Sequence, residues 1–393
     1  MSDRYLFFAV SGLIFIGVIF SLSLPVYHTQ HVGLSQFHFF ARQTLWAAIA
    51  FFVMWFLARQ DPVRWVGRVG FFLFFFFFAL MFIMPFLPHS IVPSINGARR
   101  WMRFEALSIS PVEFFKVGFV YFLAWSLTRK IYKPKAGAKE QFSFARELGT
   151  LMPYGLIFIV TVFLIAVIQN DLGQVIILAS TMALMIFFAG SSIKLFVSLI
   201  GVSFVAAIAL IMQAQHRIER VTQWWSSVQD FVLSIFPDIV ADALRVEAAP
   251  SDGAYQITQS LYAIHHGGLF GTGLGGGIVK LGFLSDVHND FVLSGIAEEA
   301  GLAGVLLVSL LMLLAIYRIF KIANRSENPV FYLFSIGIGV MFGAQFLMNA
   351  LGTTGLIPLK GITAPFLSYG GASLAASSIA VGLVLMISSK ARI

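Results

Sequence analysis

The chain reads as a succession of long apolar runs separated by short polar breaks. Runs of about 20 residues suit a bilayer crossing. They fall at 5–27, 37–58, 64–87, 111–129, 150–169, 172–190, 193–213, 290–317, 330–351 and 369–389. Inside a bilayer no water can satisfy open backbone N–H and C=O groups, so such spans must be helices. The pattern predicts an all-α integral membrane protein of about ten transmembrane helices. It forms a single polytopic domain over 1–393, with a long loop, 214–289, between spans seven and eight. The first run is too long for the core of a signal peptide and lacks a clear cleavage site, so it is expected to remain as the first span. No repeat of fixed period and no separable soluble domain stands out.

Composition agrees. The chain is 59% hydrophobic and only 11% charged, against about 25% charged in a soluble domain. There is no cysteine, which removes disulfides, cysteine nucleophiles and thiolate metal sites. The net charge of +8 does not call for nucleic acid, because basic residues on a membrane protein first fix its orientation. With both termini cytoplasmic, the basic clusters Arg59–Arg68, Arg129–Arg146 and Arg318–Arg325 lie inside. The segments at about 88–110, 214–289 and 352–368 then lie outside, and they are rich in polar residues, Gly and Pro.

Some charges have no topological reason. Arg99, Arg100 and Arg103 bracket Trp101, and Arg217 and Arg220 share a helix face by their spacing. An outer basic cluster can grip pyrophosphate, since guanidinium forks match phosphate oxygens. Equally, it can pair with Glu105, Glu219 or lipid headgroups. Glu113 with Lys116, and Glu298 with Glu299, fall inside spans, where each charge costs about 2.5–3.5 kcal/mol. They are expected to face the bundle interior as structural charges. Lys360, between Pro358 and Gly361, is a candidate for a polar cavity.

The most polar long stretch is Tyr255–Glu299. Its Gly271–Gly276 segment matches GxGxxG, but that fingerprint has meaning only between a strand and a helix of a βαβ unit. The glycines are expected to permit tight turns and let lipid headgroups approach the backbone. His265, His266, Asp286, His288 and Asp290 lack metal-site spacing, so no tightly held metal is expected. A divalent cation, magnesium or manganese, could still bridge Asp290 to a phosphorylated substrate. Asp290 can be the N-cap of the eighth span or a general base at a water-exposed helix mouth, and the two roles are compatible. The part from Ser226 to Leu244 is expected to lie amphipathically on the membrane.

Five ordered blocks carry a resemblance to a known family. They are NGARRWMRF (96–104) with SISPVEFFK (108–116), QNDLGQ (169–174), YQITQSLYAIHHGGLFGTGLGGG (255–277), FLSDVHNDF (283–291) with AEEAGLAG (297–304), and GLIPLKGITAPFLSYGGAS (355–373). The chain resembles the SEDS family (shape, elongation, division and sporulation) of polytopic peptidoglycan glycosyltransferases. Lys360-Gly361 is similar to the pattern of its division branch rather than its elongation branch. The resemblance implies polymerisation of lipid II at the outer face of a bacterial cytoplasmic membrane, at the division septum, with undecaprenyl pyrophosphate leaving. It implies Asp290 as the catalytic residue, a general base or an acceptor-positioning carboxylate, and Arg99, Arg100, Trp101, Arg217, Arg220, His288 and Lys360 as substrate-binding candidates. It also implies a class B penicillin-binding protein as transpeptidase partner, together with other divisome membrane proteins. The chain departs from the family pattern at Ser285, Asp286 and Asn289, at Ser110 and Val112, and at Asn170, which touches loop geometry rather than membership. A flippase for the lipid-linked precursor is the competing class, because buried charges also suit transporters. A scaffold that only recruits a transpeptidase is a third reading.

Overall fold

Helices in the computed structural model follow the apolar runs. Residues 3–94, 98–104, 107–130, 144–233, 245–246, 252–358 and 361–391 are described. The helices are α1 (Arg4–Ser23), a short α2 (Val26–Val32), α3 (His38–Ala58), α4 (Pro62–Ile83), α5 (Pro111–Lys130), α6 (Phe144–Val162), α7 (Leu172–Phe188), α8 (Ile193–Met212), α9 (Gln215–Leu233), α10 (Asp252–Gly267), α11 (Val292–Arg325), α12 (Pro329–Thr353) and α13 (Gly371–Ser388). A two-stranded hairpin, β1 (Met102–Phe104) and β2 (Leu107–Ile109), pairs Arg103 with Ser108 ahead of α5.

Local chemistry sets the starts. Asp3 accepts from Leu6 N, and Ser192 from Leu195 N. Asp61 and Asn328 each cap a helix whose first residue is proline. Proline fits there because its missing N–H would be unpaired anyway. The run expected at 5–27 stops at Ser23, since Leu24-Pro25 turns the chain into α2.

Among the described residues eight helical stretches are long and apolar enough to cross a membrane: α1, α3, α4, Leu151–Ile168, α8, α11, α12 and α13. Helix α7 is apolar but shorter. Helix α5 carries Glu113 and Lys116 and packs against α4, α7, α12 and α13, so protein rather than lipid surrounds it. At the centre, α13 is the most enclosed span and packs on α3; at the rim, α8 buries only Leu195. Between α4 and α5 the phenylalanines interlock: Phe74 stacks on Phe122 at 4.4 Å and Phe77 on Phe114 at 4.7 Å.

Helices α1 and α11 run antiparallel and are tied at both ends. At one end Arg318 Nε donates to Asp3 Oδ2 at 3.0 Å. At the other, Ser23 Oγ donates to Glu299 Oε1 at 2.5 Å and Lys280 Nζ to the same oxygen at 2.6 Å. From residue 3 to residue 23 an α-helix rises about 30 Å, which is the hydrocarbon thickness of a bilayer.

Two spans are irregular. After α6, residues Phe163–Ile168 form a π-helical turn, and Asn170 follows with φ +54°. Helix α11 is broken at Gly301 (φ 68°, ψ −168°). The expected span 290–317 falls on this helix and carries the break.

Candidate functional site

Asp290 stands at the entrance of α11, and the last motif block fixes its backbone. Tyr369 N donates to His288 O at 2.9 Å. Ser368 Oγ donates to Asn289 O at 2.6 Å and accepts from Ala364 N at 2.8 Å. Asn349 Nδ2, from α12, donates to Asp290 O at 2.7 Å and to Ile362 O at 2.6 Å. Three consecutive carbonyls are thus each held by a separate donor. A small pocket brings together Asp290, Phe291, Met348, Asn349, Gly361 and Ile362.

Gly361 lies between Asp290 and Arg100. A Cβ on it would stand 3.9 Å from Arg100 Nη1 and 3.9 Å from Asp290 Oδ2, and its φ of +82° suits glycine. The guanidinium and the carboxylate therefore flank one backbone position contributed by the 355–373 block.

Arg100 also borders a larger cleft with Asn170, Asp171, Arg217, Arg220 and Pro358. Its Nε donates to Gln169 O at 2.9 Å and its Nη2 to Asn170 O, while Nη1 lies 3.7 Å from Asp171 Oδ2. Arg217 is buried and donates to Leu210 O at 2.7 Å, Ala166 O at 2.5 Å and Asn170 Oδ1 at 3.0 Å. Arg217 thus holds a carbonyl of the π-helical turn, Ala166 O, and Arg100 the two carbonyls that follow the turn. Arg220 is the exposed arginine of the cleft, with no hydrogen bond or ion pair to another described residue. Behind the cleft, Asp171 caps α7 through Gln174 N, Gln174 Nε2 donates to Glu113 Oε1 at 3.0 Å, and Lys116 Nζ lies 3.0 Å from Glu113 Oε2. The buried Glu113–Lys116 pair is thus linked through Gln174 to the cleft wall.

The other sequence candidates scatter. Arg99 points away from Arg100, donating to Pro85 O and contacting His89 Nε2, each at 2.8 Å. Trp101 is exposed beside the hairpin. His288 is buried among rings, 5.0 Å from Phe39, 5.7 Å from Tyr369 and 5.9 Å from His28 by centroid. Burial pushes its imidazole down to about 4, Asp286 opposing and His28 adding to the effect. Lys360 and the stretch 234–244 of the proposed amphipathic segment lie outside the described residues. Among the described residues no three His, Asp or Glu side chains converge to hold a metal. A cation at Asp290 would take its remaining ligands from water and a substrate.

Glu298 and Glu299 have structural surroundings. Glu298 Oε1 accepts from Ile278 N at 2.7 Å, Val279 N at 3.1 Å and His266 Nδ1 at 3.1 Å. Glu299 is closed by Ser23 and Lys280. The glycine-rich loop serves this region only in part as expected. A Cβ on Gly267 would fall 1.8 Å from Ala297 O, and one on Gly271 2.2 Å from Glu299 O. Gly267 and Gly271 admit the backbone of α11, while Gly273 and Gly275, at φ 87° and 86°, make the expected tight turns with nothing within 4 Å of an added Cβ.

Sequence reasoning missed Asn349, Ser368 and Asp171. The first has a legible signal, since an Asn inside an apolar span needs a buried partner. Ser368 and Asp171 carry none beyond lying in motif blocks.

The whole-chain comparisons agree with one another. The family model FTSW_RODA_SPOVE, described as cell cycle protein, matches residues 3–393. A protein of Helicobacter pylori named probable peptidoglycan glycosyltransferase FtsW is 45% identical over 98% of this chain and 97% of its own length. Stage V sporulation protein E of Bacillus subtilis is 33% identical over 97% of this chain and 95% of its own. Among solved structures, the rod shape determining protein RodA of Thermus thermophilus superposes with a TM-score of 0.64 at 21% identity, covering 100% of this chain and 98% of its own. A chain of a peptidoglycan synthase complex gives 0.68 at 22% identity, covering 99% and 98%. With the family model matching residues 3–393 and a relative 45% identical over nearly all of both chains, the chain belongs to the FtsW/RodA/SpoVE family.

Proposed function

We propose that this protein is a peptidoglycan glycosyltransferase of the division branch, polymerising lipid II. One observation carries the reading: blocks distant in sequence converge so that Asp290 and Arg100 flank Gly361 beside a cleft holding Arg220. In the reaction the acceptor's sugar hydroxyl attacks the anomeric carbon of the donor. The new C–O bond forms as the bond to undecaprenyl pyrophosphate breaks, and the hydroxyl proton passes to Asp290. Such proton removal contributes about 10²–10⁴-fold. The departing pyrophosphate needs positive charge. Arg220 and the Nη1 of Arg100 supply it, because the donors of Arg217 are taken by protein acceptors. Lys360, next to Gly361 in sequence, is carried as a substrate-binding candidate by the family resemblance alone. A magnesium or manganese ion entering with the pyrophosphate would take a ligand from Asp290 and supply charge neutralisation.

The setting of this reading is the bacterial cytoplasmic membrane at the septum, both termini inside, the site on the outer face. A class B penicillin-binding protein crosslinks the product, and the relative found within a peptidoglycan synthase complex supports such an assembly. The purified protein, given lipid II in liposomes with and without its transpeptidase, should yield glycan strands. Lipid II crossing the bilayer with no polymer formed would replace this reading with a flippase.

A further inference from the structure

The break in α11 is spliced by the glycine-rich loop. An interrupted helix frees carbonyls before the break and N–H groups after it. Here Thr272 N and Gly273 N donate to Glu298 O and Glu299 O, both at 3.0 Å. Leu302 N and Ala303 N donate to Gly268 O at 2.9 Å and Leu269 O at 3.1 Å. Four of the freed groups are met by one loop, which is the condition for irregular backbone at membrane depth.

The height of this splice follows from α1 and α11. The Asp3–Arg318 tie and the Ser23–Glu299–Lys280 tie lie about 30 Å apart along the helices, so they mark the two faces of the hydrocarbon layer. Residues 298–303 then sit at the edge of that layer on the Asp290 side. Below them α11 shows an exposed stripe that includes Leu306, Leu310 and Leu313, as a lipid-facing helix should. At the level of the splice the loop turns its apolar side chains outward: Leu269 is 65% exposed and Phe270 83%.

We infer that the Leu269–Phe270 tip is inserted into the lipid leaflet on the Asp290 side, as an anchor built into an extramembrane loop. The occupant is bilayer lipid, because hydrogen bonds to Leu302 and Ala303 hold the tip against a span at the hydrocarbon edge. The same fastening reaches the site. Ile278 and Val279 hang on Glu298, and Lys280 on Glu299, so the anchored loop sets the level from which the chain runs on to Asp290.

The chain has no cysteine, so one introduced thiol reports one position. Phe270→Cys and, separately, Leu274→Cys, which is also exposed, are labelled with an environment-sensitive fluorophore in the full-length protein in nanodiscs. Asn324→Cys, at the exposed far end of α11, is the aqueous reference. The Phe270 label should emit blue-shifted from the reference, be quenched by lipids spin-labelled near the headgroup, and resist aqueous iodide; the Leu274 label should shift in the same direction. A Phe270 label as open to iodide as the reference, or one shielded only after a partner protein is added, would overturn the inference.

Discussion

Asn349 holds the backbone of Asp290 from inside a span. Its amide bridges Asp290 O and Ile362 O, and removing a buried donor costs about 1–3 kcal/mol per acceptor left unpaired. Asn349→Ala should therefore lower stability by about 2–6 kcal/mol, read by thermal unfolding. It should cut lipid II turnover by about 10²-fold, the cost of a misplaced reacting group. A stable, fully active variant would remove Asn349 from the account. His288 gives a second prediction. Its folded pKa of about 4 lies below the usual 6.5, so the unfolded chain takes up the proton first as pH falls. Stability from the buried neutral ring is full above about pH 6.5 and is lost progressively toward pH 4, by about 3 kcal/mol in all. Unfolding midpoints of wild type and His288→Phe should diverge at neutral pH and converge on acidification. Parallel curves would contradict the buried neutral imidazole. Asp290 and Arg100 were legible because their motif blocks are continuous in sequence. The ring cage of His288 was not, because Phe39 and Tyr369 come from opposite ends of the chain.

Among the elements, the loop 268–273 and the broken α11 form one unit. Gly267→Ala drives a methyl to 1.8 Å from Ala297 O, a contact that only backbone movement can relieve. It should destabilise by about 3 kcal/mol, seen as a lower unfolding midpoint in detergent; an unchanged midpoint would mean that the loop does not pack on α11. The Lys280–Glu299 pair tests the same unit electrostatically. Breaking one partner of a buried pair costs about 3–5 kcal/mol, whereas replacing both by apolar residues can be nearly neutral. Glu299→Leu alone should be severely destabilised, and Lys280→Met with Glu299→Leu should recover most of the loss. The spans themselves were readable from hydropathy, and the caps at Asp61-Pro62 and Asn328-Pro329 from local chemistry. The break at Gly301 was hidden, because a glycine in an apolar run looks the same whether or not a distant loop replaces its hydrogen bonds. The π-helical turn after α6 was hidden for a like reason: Arg217, which holds one of its carbonyls, lies far away in sequence.

For the molecule as a whole, orientation and activity are separate claims. The proposed orientation, drawn from the positive charge, puts Asn324 inside and Gln36 outside. A cysteine at Gln36 should react with an impermeant thiol reagent in intact spheroplasts, and one at Asn324 only after permeabilisation. The reverse pattern would put the Asp290 side in the cytoplasm and end the outer-face reading. The most direct test of the account is lipid II polymerisation by purified protein with its transpeptidase, wild type against Asp290→Asn. The amide keeps the size of the side chain and leaves the carbonyl held by Asn349 untouched, so the unfolding midpoint should stay near wild type. Glycan synthesis should fall by at least the 10²–10⁴-fold contributed by a general base. Strands made at the wild-type rate by the folded variant would contradict the assignment of the chemistry to Asp290.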